Sequence, residues 1–207
     1  MAVISNGTTI FDAGAVDSGQ ASGDLVLIKT LTASDGTANL TFIHGTSSVV
    51  FDGTYDYYIF KGRNCHPEED NRRMTVTFRD GDSNFDAPMT TLAVQALHQE
   101  GDGAASMAYW AAGDTANATS GWILNDGCGN AANECMSFWI EVHAPASTTY
   151  SKFVVGRGVE NTYNNIANNT YCGGYIDGAA AIDGVRFAFH SGDFDAGTIS
   201  LYGVKKS

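Results

Sequence analysis

Residues 74–79 read MTVTFR, so methionine, valine and phenylalanine alternate with two threonines and an arginine. Successive side chains of a β-strand point to opposite faces of its sheet. Strict alternation of apolar and polar residues therefore predicts a strand with one buried face. Residues 90–99, which read TTLAVQALHQ, predict a second, longer strand. One face of it would carry Leu92, Val94, Ala96 and His98, and the other Thr91, Ala93, Gln95 and Leu97.

Short runs of this kind recur along the chain, each bounded by turn-forming residues such as Gly, Asn, Asp or Ser. We count roughly ten to thirteen of them, and no window shows helical periodicity over three turns. The 24 glycines and the low charged fraction of 16% also suit strands joined by tight turns. The sequence predicts an all-β fold, namely a single two-sheet antiparallel β-sandwich, jelly-roll-like, over residues 24–207.

Residues 1–23 are polar and rich in glycine, serine and aspartate. We expect an extended N-terminal arm that a neighbouring molecule orders, with contacts through Val3, Ile4, Ile10 and Phe11. The segment has neither the basic start nor the apolar centre of a signal peptide, so we expect synthesis in the cytoplasm.

The charge of the chain argues against two classes of partner. Its 23 acidic and 11 basic residues give a formal net charge of −12. This charge repels a phosphate backbone and an anionic membrane surface. No apolar run approaches the roughly 18 residues that span a bilayer. We therefore expect neither nucleic-acid binding nor membrane insertion.

Two of the four cysteines, Cys128 and Cys135, bracket a polar loop. A disulfide that closes this loop is one interpretation if the mature protein meets an oxidising environment, and two free thiols are the other. The sequence has no pair of CxxC or CxH units of the kind that usually forms a zinc site.

One acidic segment has the spacing of a calcium loop. Asp80, Asp82, Asn84 and Asp86 place oxygen donors at alternate positions, which a hard cation such as calcium requires. The segment departs from the EF-hand pattern because Phe85 stands where glycine normally turns the chain, and the bidentate glutamate at the loop's end is missing. A polar hairpin loop without metal is the alternative interpretation.

The sequence contains no GxSxG, HExxH or P-loop motif. Of the carboxylates that a glycosidase would need, Glu141 alone lies inside an aromatic run, residues 138–143, and a solvated strand face is the favoured interpretation there. We predict a protein that is not an enzyme and holds no cofactor. Aromatic side chains are better candidates for binding, since they can stack on glycans or fill an oligomer interface, although we expect most Tyr and Trp residues to serve the core. Trp110 and Trp122 are the candidates for glycan binding.

Several segments resemble one family of proteins. They are LIKTLTAS at residues 27–34, VVFDGTY at 49–55, NCHP at 64–67, AIDGVRF at 181–187 and SGDFDAGTISLYG at 191–203. In these patches the chain resembles the small, jelly-roll-like structural proteins of virions of marine and freshwater tailed bacteriophages, of the cyanophage and pelagiphage type. The resemblance supplies no catalytic residue.

This resemblance implies a structural protein on the surface of a phage particle, made in the host cytoplasm. A capsid decoration or cement protein suits the compact sandwich, the arm and the net charge of −12. Its partners would be other virion proteins, either the major capsid protein or tail proteins, and a homotrimer is expected by analogy with local threefold axes. The alternative is a component of the tail fibre, or a tail-associated adhesin, that binds glycans of the host surface.

Overall fold

The computed structural model describes residues 24–206 together with the backbones of three short strands that precede them, β1 (Val3–Ser5), β2 (Thr8–Asp12) and β3 (Ala15–Val16). These three strands form an antiparallel sheet of their own. The side chains of Val3, Ile4, Ile10 and Phe11, expected to contact a partner, lie outside the described residues.

Residues 24–206 contain thirteen strands, which is the upper end of the number expected from the sequence. They are β4 (Leu25–Ala33), β5 (Leu40–Ile43), β6 (Tyr55–Pro67), β7 (Met74–Arg79), β8 (Met89–Gln99), β9 (Ala105–Tyr109), β10 (Thr115–Ala118), β11 (Trp122–Ile123), β12 (Met136–His143), β13 (Lys152–Asn161), β14 (Ile166–Ile176), β15 (Gly184–Phe189) and β16 (Phe194–Lys205). One turn of 3-10 helix at Ala111–Gly113 is the helical element of this part of the chain.

The strands form two antiparallel sheets that pack as a sandwich, which confirms the predicted fold. The larger sheet has the order β10-β8-β14-β13-β12-β6-β16-β4, with β9 also paired to β8, and the smaller sheet has the order β11-β7-β15-β5. From β4 to β8 the chain crosses from one sheet to the other at each connection, as in a jelly roll.

The alternating segment β7 lies in the smaller sheet and buries its apolar face as predicted. Met74, Val76 and Phe78 have no solvent exposure, whereas the residues between them are partly exposed. Aromatic rings join the two sheets in the core. The ring of Phe187 from the smaller sheet stacks on Phe138 of the larger one, with centroids 5.4 Å apart. Burial of each such ring stabilises the fold by roughly 2–3 kcal/mol.

Strand β13 runs through the middle of the larger sheet and carries glycine where the core approaches most closely. A Cβ atom on Gly158 would lie 2.2 Å from the carbonyl oxygen of Leu124, which is shorter than any stable contact. A Cβ atom on Gly156 would lie 2.8 Å from the carbonyl oxygen of Trp139. The absent side chain of Gly158 lets the loop after β11 reach the backbone of β13, and that of Gly156 leaves room for the neighbouring strand β12.

The same loop is held by a buried carboxylate, Glu160, near the end of β13. Glu160 is 4% exposed, and its oxygens accept hydrogen bonds from the backbone N–H groups of Asp126 (2.8 Å) and Gly127 (3.3 Å). The side-chain amides of Asn125 and Asn168 donate to it as well, the latter over 2.9 Å. Burial raises the pKa of Glu160, and these hydrogen bonds act in the opposite direction.

We predict that Glu160→Gln destabilises the protein by about 2–3 kcal/mol, because the new amide would face donors on every side. Asn125 cannot turn to accept instead, since its oxygen already accepts from the backbone N–H of Met74 and its amide also donates to Arg72. The free energy of unfolding, measured by denaturant titration, checks this result.

Glu141→Gln is the matched control, because Glu141 is only partly buried and its one side-chain hydrogen bond goes to His143. We expect the control to change stability by less than about 0.5 kcal/mol. Equal stability of the two variants would show that the Glu160 network does not hold the loop.

Candidate functional site on the outer face of the larger sheet

The larger sheet exposes apolar side chains on the face that points away from the core. The exposed fractions on three adjacent strands are 51% for Leu92, 60% for Phe153, 42% for Val155, 43% for Tyr171 and 38% for Tyr175. Scattered apolar residues are ordinary on a protein surface, but a contiguous group on neighbouring strands marks a contact surface. The outer face of this sheet is therefore the first candidate for binding.

Cationic and aromatic side chains meet on this face in one line across the strands. The register places Lys61 of β6 and Arg157 of β13 directly opposite Trp139 of β12, one on each side. Arg157 is in turn opposite Tyr171, and its guanidinium lies 5.0 Å from the centre of that ring. Directly opposite residues lie within about 5 Å of each other at Cβ. The exposed indole of Trp139, at 40%, is thus flanked by two positive charges.

Two depressions lie along this line and share the side chains of Trp139 and Arg157. The first, the cationic groove, has a volume of about 600 Å³ and is lined by Lys61, Gly62, Arg63, Ser137, Phe138, Trp139, Arg157, Val159, Thr198, Ser200 and Tyr202. The second, the apolar hollow, has a volume of about 400 Å³ and is lined by Leu92, Val94, Trp139, Val155, Gly156, Arg157, Tyr171, Cys172 and Gly173.

The hollow exists because Gly173 stands between larger neighbours. In the register Gly173 is opposite Leu92 on one side and Val155 on the other, so two exposed apolar side chains flank a position that has none. Such a recess can accept a partner's side chain. At the centre of protein interfaces, buried side chains fill recesses of this kind.

Glu141 lies on the outward face of β12, as the favoured interpretation of its segment expected, and Trp139 and His143 point outward on the same face. Glu141 and His143 form a hydrogen bond of 3.2 Å, and the His143 ring stacks on Tyr57 with centroids 5.0 Å apart. The importance of Trp139 was missed, because alternation alone does not show which of its strand's two faces is covered.

The structure places the two tryptophans expected to bind glycans in different surroundings, and glycan binding by Trp110 stays a prediction. Trp122 is fully buried in the core, so its prediction as a surface residue is wrong. Trp110 is partly buried; the guanidinium of Arg73 lies 5.3 Å from its ring centre, and Gly113 lies directly against the ring. Trp122 is the first residue of β11, and Trp110 directly follows β9.

The structure brings together three of the four residues of the predicted calcium loop. Donor oxygens of Asp80, Asp82 and Asp86 all lie within 4.8 Å of one another. Asn84 instead donates to Asp82 through its backbone N–H (2.6 Å) and its side-chain amide (3.2 Å). The buried ammonium of Lys152 interacts electrostatically with Asp80. Calcium binding stays a prediction.

All four cysteines are free thiols, so the disulfide between Cys128 and Cys135 is not present. The loop that they bracket is closed by Glu134, which is 7% exposed and accepts a hydrogen bond of 2.9 Å from the backbone N–H of Ala131. The Glu134 carboxylate fills the loop directly over Gly129, where a Cβ atom would lie 1.9 Å from it. The buried Cys128 thiol donates to the carbonyl of Gly129 at 3.5 Å.

We predict that one thiol of the folded protein, Cys135, reacts with a disulfide reagent such as DTNB. Cys65, Cys128 and Cys172 are buried, and burial raises the pKa of Cys65 and Cys172 to about 12. Their reaction should therefore be at least about tenfold slower than that of Cys135. Cys135→Ser should remove the fast phase, and all four thiols should react after unfolding. Only two reactive thiols in the unfolded, unreduced protein would contradict the structure.

No helix in the described part of the chain has the length and apolar character needed to cross a membrane. No protein-family model and no curated protein matches the sequence. Among solved structures, the crystal structure of the botulinum neurotoxin serotype G binding domain matches with 8% identity and a TM-score of 0.15, over 98% of this chain and 46% of the toxin chain. The chain thus spans less than half the length of that protein, and a likeness at this level supports no conclusion about fold or function.

Proposed function

We propose that this chain is a structural protein of a bacteriophage virion, and specifically a capsid decoration or cement protein of the particle surface. The observation that carries the proposal is the apolar hollow on the outer face of the larger sheet. The segments that resemble phage virion proteins, such as residues 191–203, suggest that the partner covering this face belongs to a phage particle.

The hollow has the features of the centre of a protein interface. Phe153, Val155 and Tyr175 are 60%, 42% and 38% exposed around it, although the core of the sandwich is already complete without them. Aromatic and aliphatic side chains around a recess are typical of the residues that dominate binding energy between proteins. The net charge of −12 keeps many copies of such a protein soluble before assembly.

The partner would be the major capsid protein, and a homotrimer of this chain is the proposed unit. Closed cyclic symmetry is the usual form of a small assembly, and a threefold unit suits the threefold positions of a capsid lattice. The role is one of binding, with no catalytic step. A protein on the tail would be present in far fewer copies than one on the capsid surface, so the copy number per particle distinguishes the two locations.

We predict that Leu92→Asp weakens binding to capsids that lack the protein by at least about tenfold, or about 1.4 kcal/mol, because a carboxylate would be buried in the hollow. Leu27→Asp is the matched control. Leu27 is exposed to a similar degree, 57% against 51%, but lies on β4 at the far edge of the same sheet. The control should bind within about twofold of the unchanged protein.

Cosedimentation with the capsids measures the affinity, and cryo-electron microscopy with gel densitometry gives the copy number. Hundreds of copies over the shell would agree with the proposal. A few copies in multiples of three at the tail, or equal binding by the Leu92 and Leu27 variants, would contradict it.

A further inference from the structure

We infer that the cationic groove binds an anionic saccharide, that is, a sugar chain bearing carboxylate or sulfate groups. This inference develops the glycan-binding alternative and goes beyond the proposed capsid contact, which uses the apolar hollow. It locates the site at Trp139, with Lys61, Arg63 and Arg157 as the charged residues, and not at the tryptophans expected from the sequence.

The first argument is the concentration of positive charge in a strongly acidic protein. Three of the 11 basic residues of the chain line this one groove, although acidic residues outnumber basic ones by two to one. No carboxylate is among the side chains that line it. Like charges this close repel one another, and a bound anion would relieve that repulsion. The groove is therefore built for negative charge.

The second argument is that the three cations have no acidic partner within the described residues. Three arginines elsewhere form ion pairs, namely Arg72 with Glu69, Arg73 with Asp126 and Arg79 with Asp183. In the groove, by contrast, Lys61 lies 5.5 Å from the ring centre of Tyr202.

Arg157 likewise meets neutral groups, since its Nε donates to the Asn169 side-chain oxygen at 2.6 Å. That bond leaves the terminal guanidinium nitrogens of Arg157 available. Within the described residues, the Arg63 side chain forms no hydrogen bond and no ion pair. A guanidinium group can bind a carboxylate or a sulfate through two parallel hydrogen bonds.

The third argument is the aromatic surface between the charges. Trp139 lies directly between Lys61 and Arg157 in the register, and its indole is 40% exposed. An exposed indole offers a flat apolar surface to the C–H face of a pyranose ring, and its neighbours then lie within reach of acidic substituents on that ring. The groove, at about 600 Å³, falls within the usual size of a small-ligand site.

The fourth argument comes from the hydroxyl groups around the groove. Ser137, Thr198 and Ser200 line its walls. The Ser137 hydroxyl accepts a hydrogen bond of 3.3 Å from the backbone N–H of Asn64, and the Ser200 hydroxyl bonds to that of Thr30 at 2.8 Å. A hydroxyl has one donor and two acceptor positions, so each of the three keeps capacity for a ligand. Sugar hydroxyls need partners of both kinds. An acidic peptide also offers carboxylates and hydrogen-bonding groups, but it lacks the C–H face of a pyranose ring that would stack on Trp139.

The test is calorimetric titration of the full chain with four defined probes: a galacturonic acid trimer, a sulfated oligosaccharide of similar length, a neutral galactose trimer, and a glutamate hexapeptide. We expect binding of one or both anionic probes, weaker binding at higher salt, and no measurable binding of the neutral sugar. Binding of the carboxylated probe alone, or of the sulfated probe alone, would assign the acidic group.

Variants then locate the site. Trp139→Ala and the double variant Lys61→Gln, Arg157→Gln should each weaken binding of the anionic probe by at least tenfold. Arg186→Gln is the matched control for charge, because Arg186 lies on the smaller sheet, where its guanidinium packs over Phe85. It should change the affinity by less than twofold. Thermal unfolding of each variant separates loss of the site from loss of the fold.

Three results would overturn the inference: no binding of either anionic probe, unchanged affinity in the groove variants, or equal affinity for a glutamate hexapeptide. None of these results depends on a phage particle. Failure here would therefore leave the proposed capsid contact untouched, and loss of the capsid contact would leave this inference standing.

Discussion

The close contact between β13 and the loop after β11 is the constraint on which the rest of the sandwich depends. Two features of β13 make it possible: Gly158 leaves room for the Leu124 carbonyl, and Glu160 binds the N–H groups that follow it. Loops that approach a core need partners for their backbone polar groups, because an unpaired buried N–H costs about 1–3 kcal/mol. One carboxylate supplies the acceptors here, and the loop can then close the core over Met74 and Trp122.

The same strand, β13, also determines which side chains the larger sheet exposes on its outer face. At the centre of β13 the inner positions are Gly156 and Gly158, and larger side chains at the alternate positions point outward. Phe153, Val155, Arg157 and Val159 are all exposed on this face. The strand that brings the core together therefore also presents the residues that separate the apolar hollow from the cationic groove.

The sequence allowed the strands to be predicted well and the faces poorly. In β7 the pattern sufficed, because one set of side chains is apolar and the other polar. In β8 both sets are mixed, and the buried set is Thr91, Ala93 and Gln95, while Leu92 is exposed. Which set is buried depends on what the opposite sheet covers, and that is a long-range property which local alternation does not contain.

The same limit explains the errors at the candidate site. Trp122 and Trp139 both lie in strands, and only the packing of the smaller sheet distinguishes the buried ring from the exposed one. The loop between Cys128 and Cys135 has the right length for a disulfide, but Glu134 folds back into it and occupies the space. Cysteine spacing records the length of a loop and not the side chain that fills it.

The two proposed binding regions are physically linked, because Trp139 and Arg157 line both of them. A partner that fills the apolar hollow and orders the Arg157 side chain changes the groove that the saccharide would enter. If the partner changes the affinity for the saccharide by some factor, thermodynamic linkage requires that the saccharide changes the affinity for the partner by the same factor. A partner that turns Arg157 toward the groove would strengthen saccharide binding, whereas one that pairs with its guanidinium would weaken it. The direction of that coupling thus reports which of the two ligands uses the charge of Arg157.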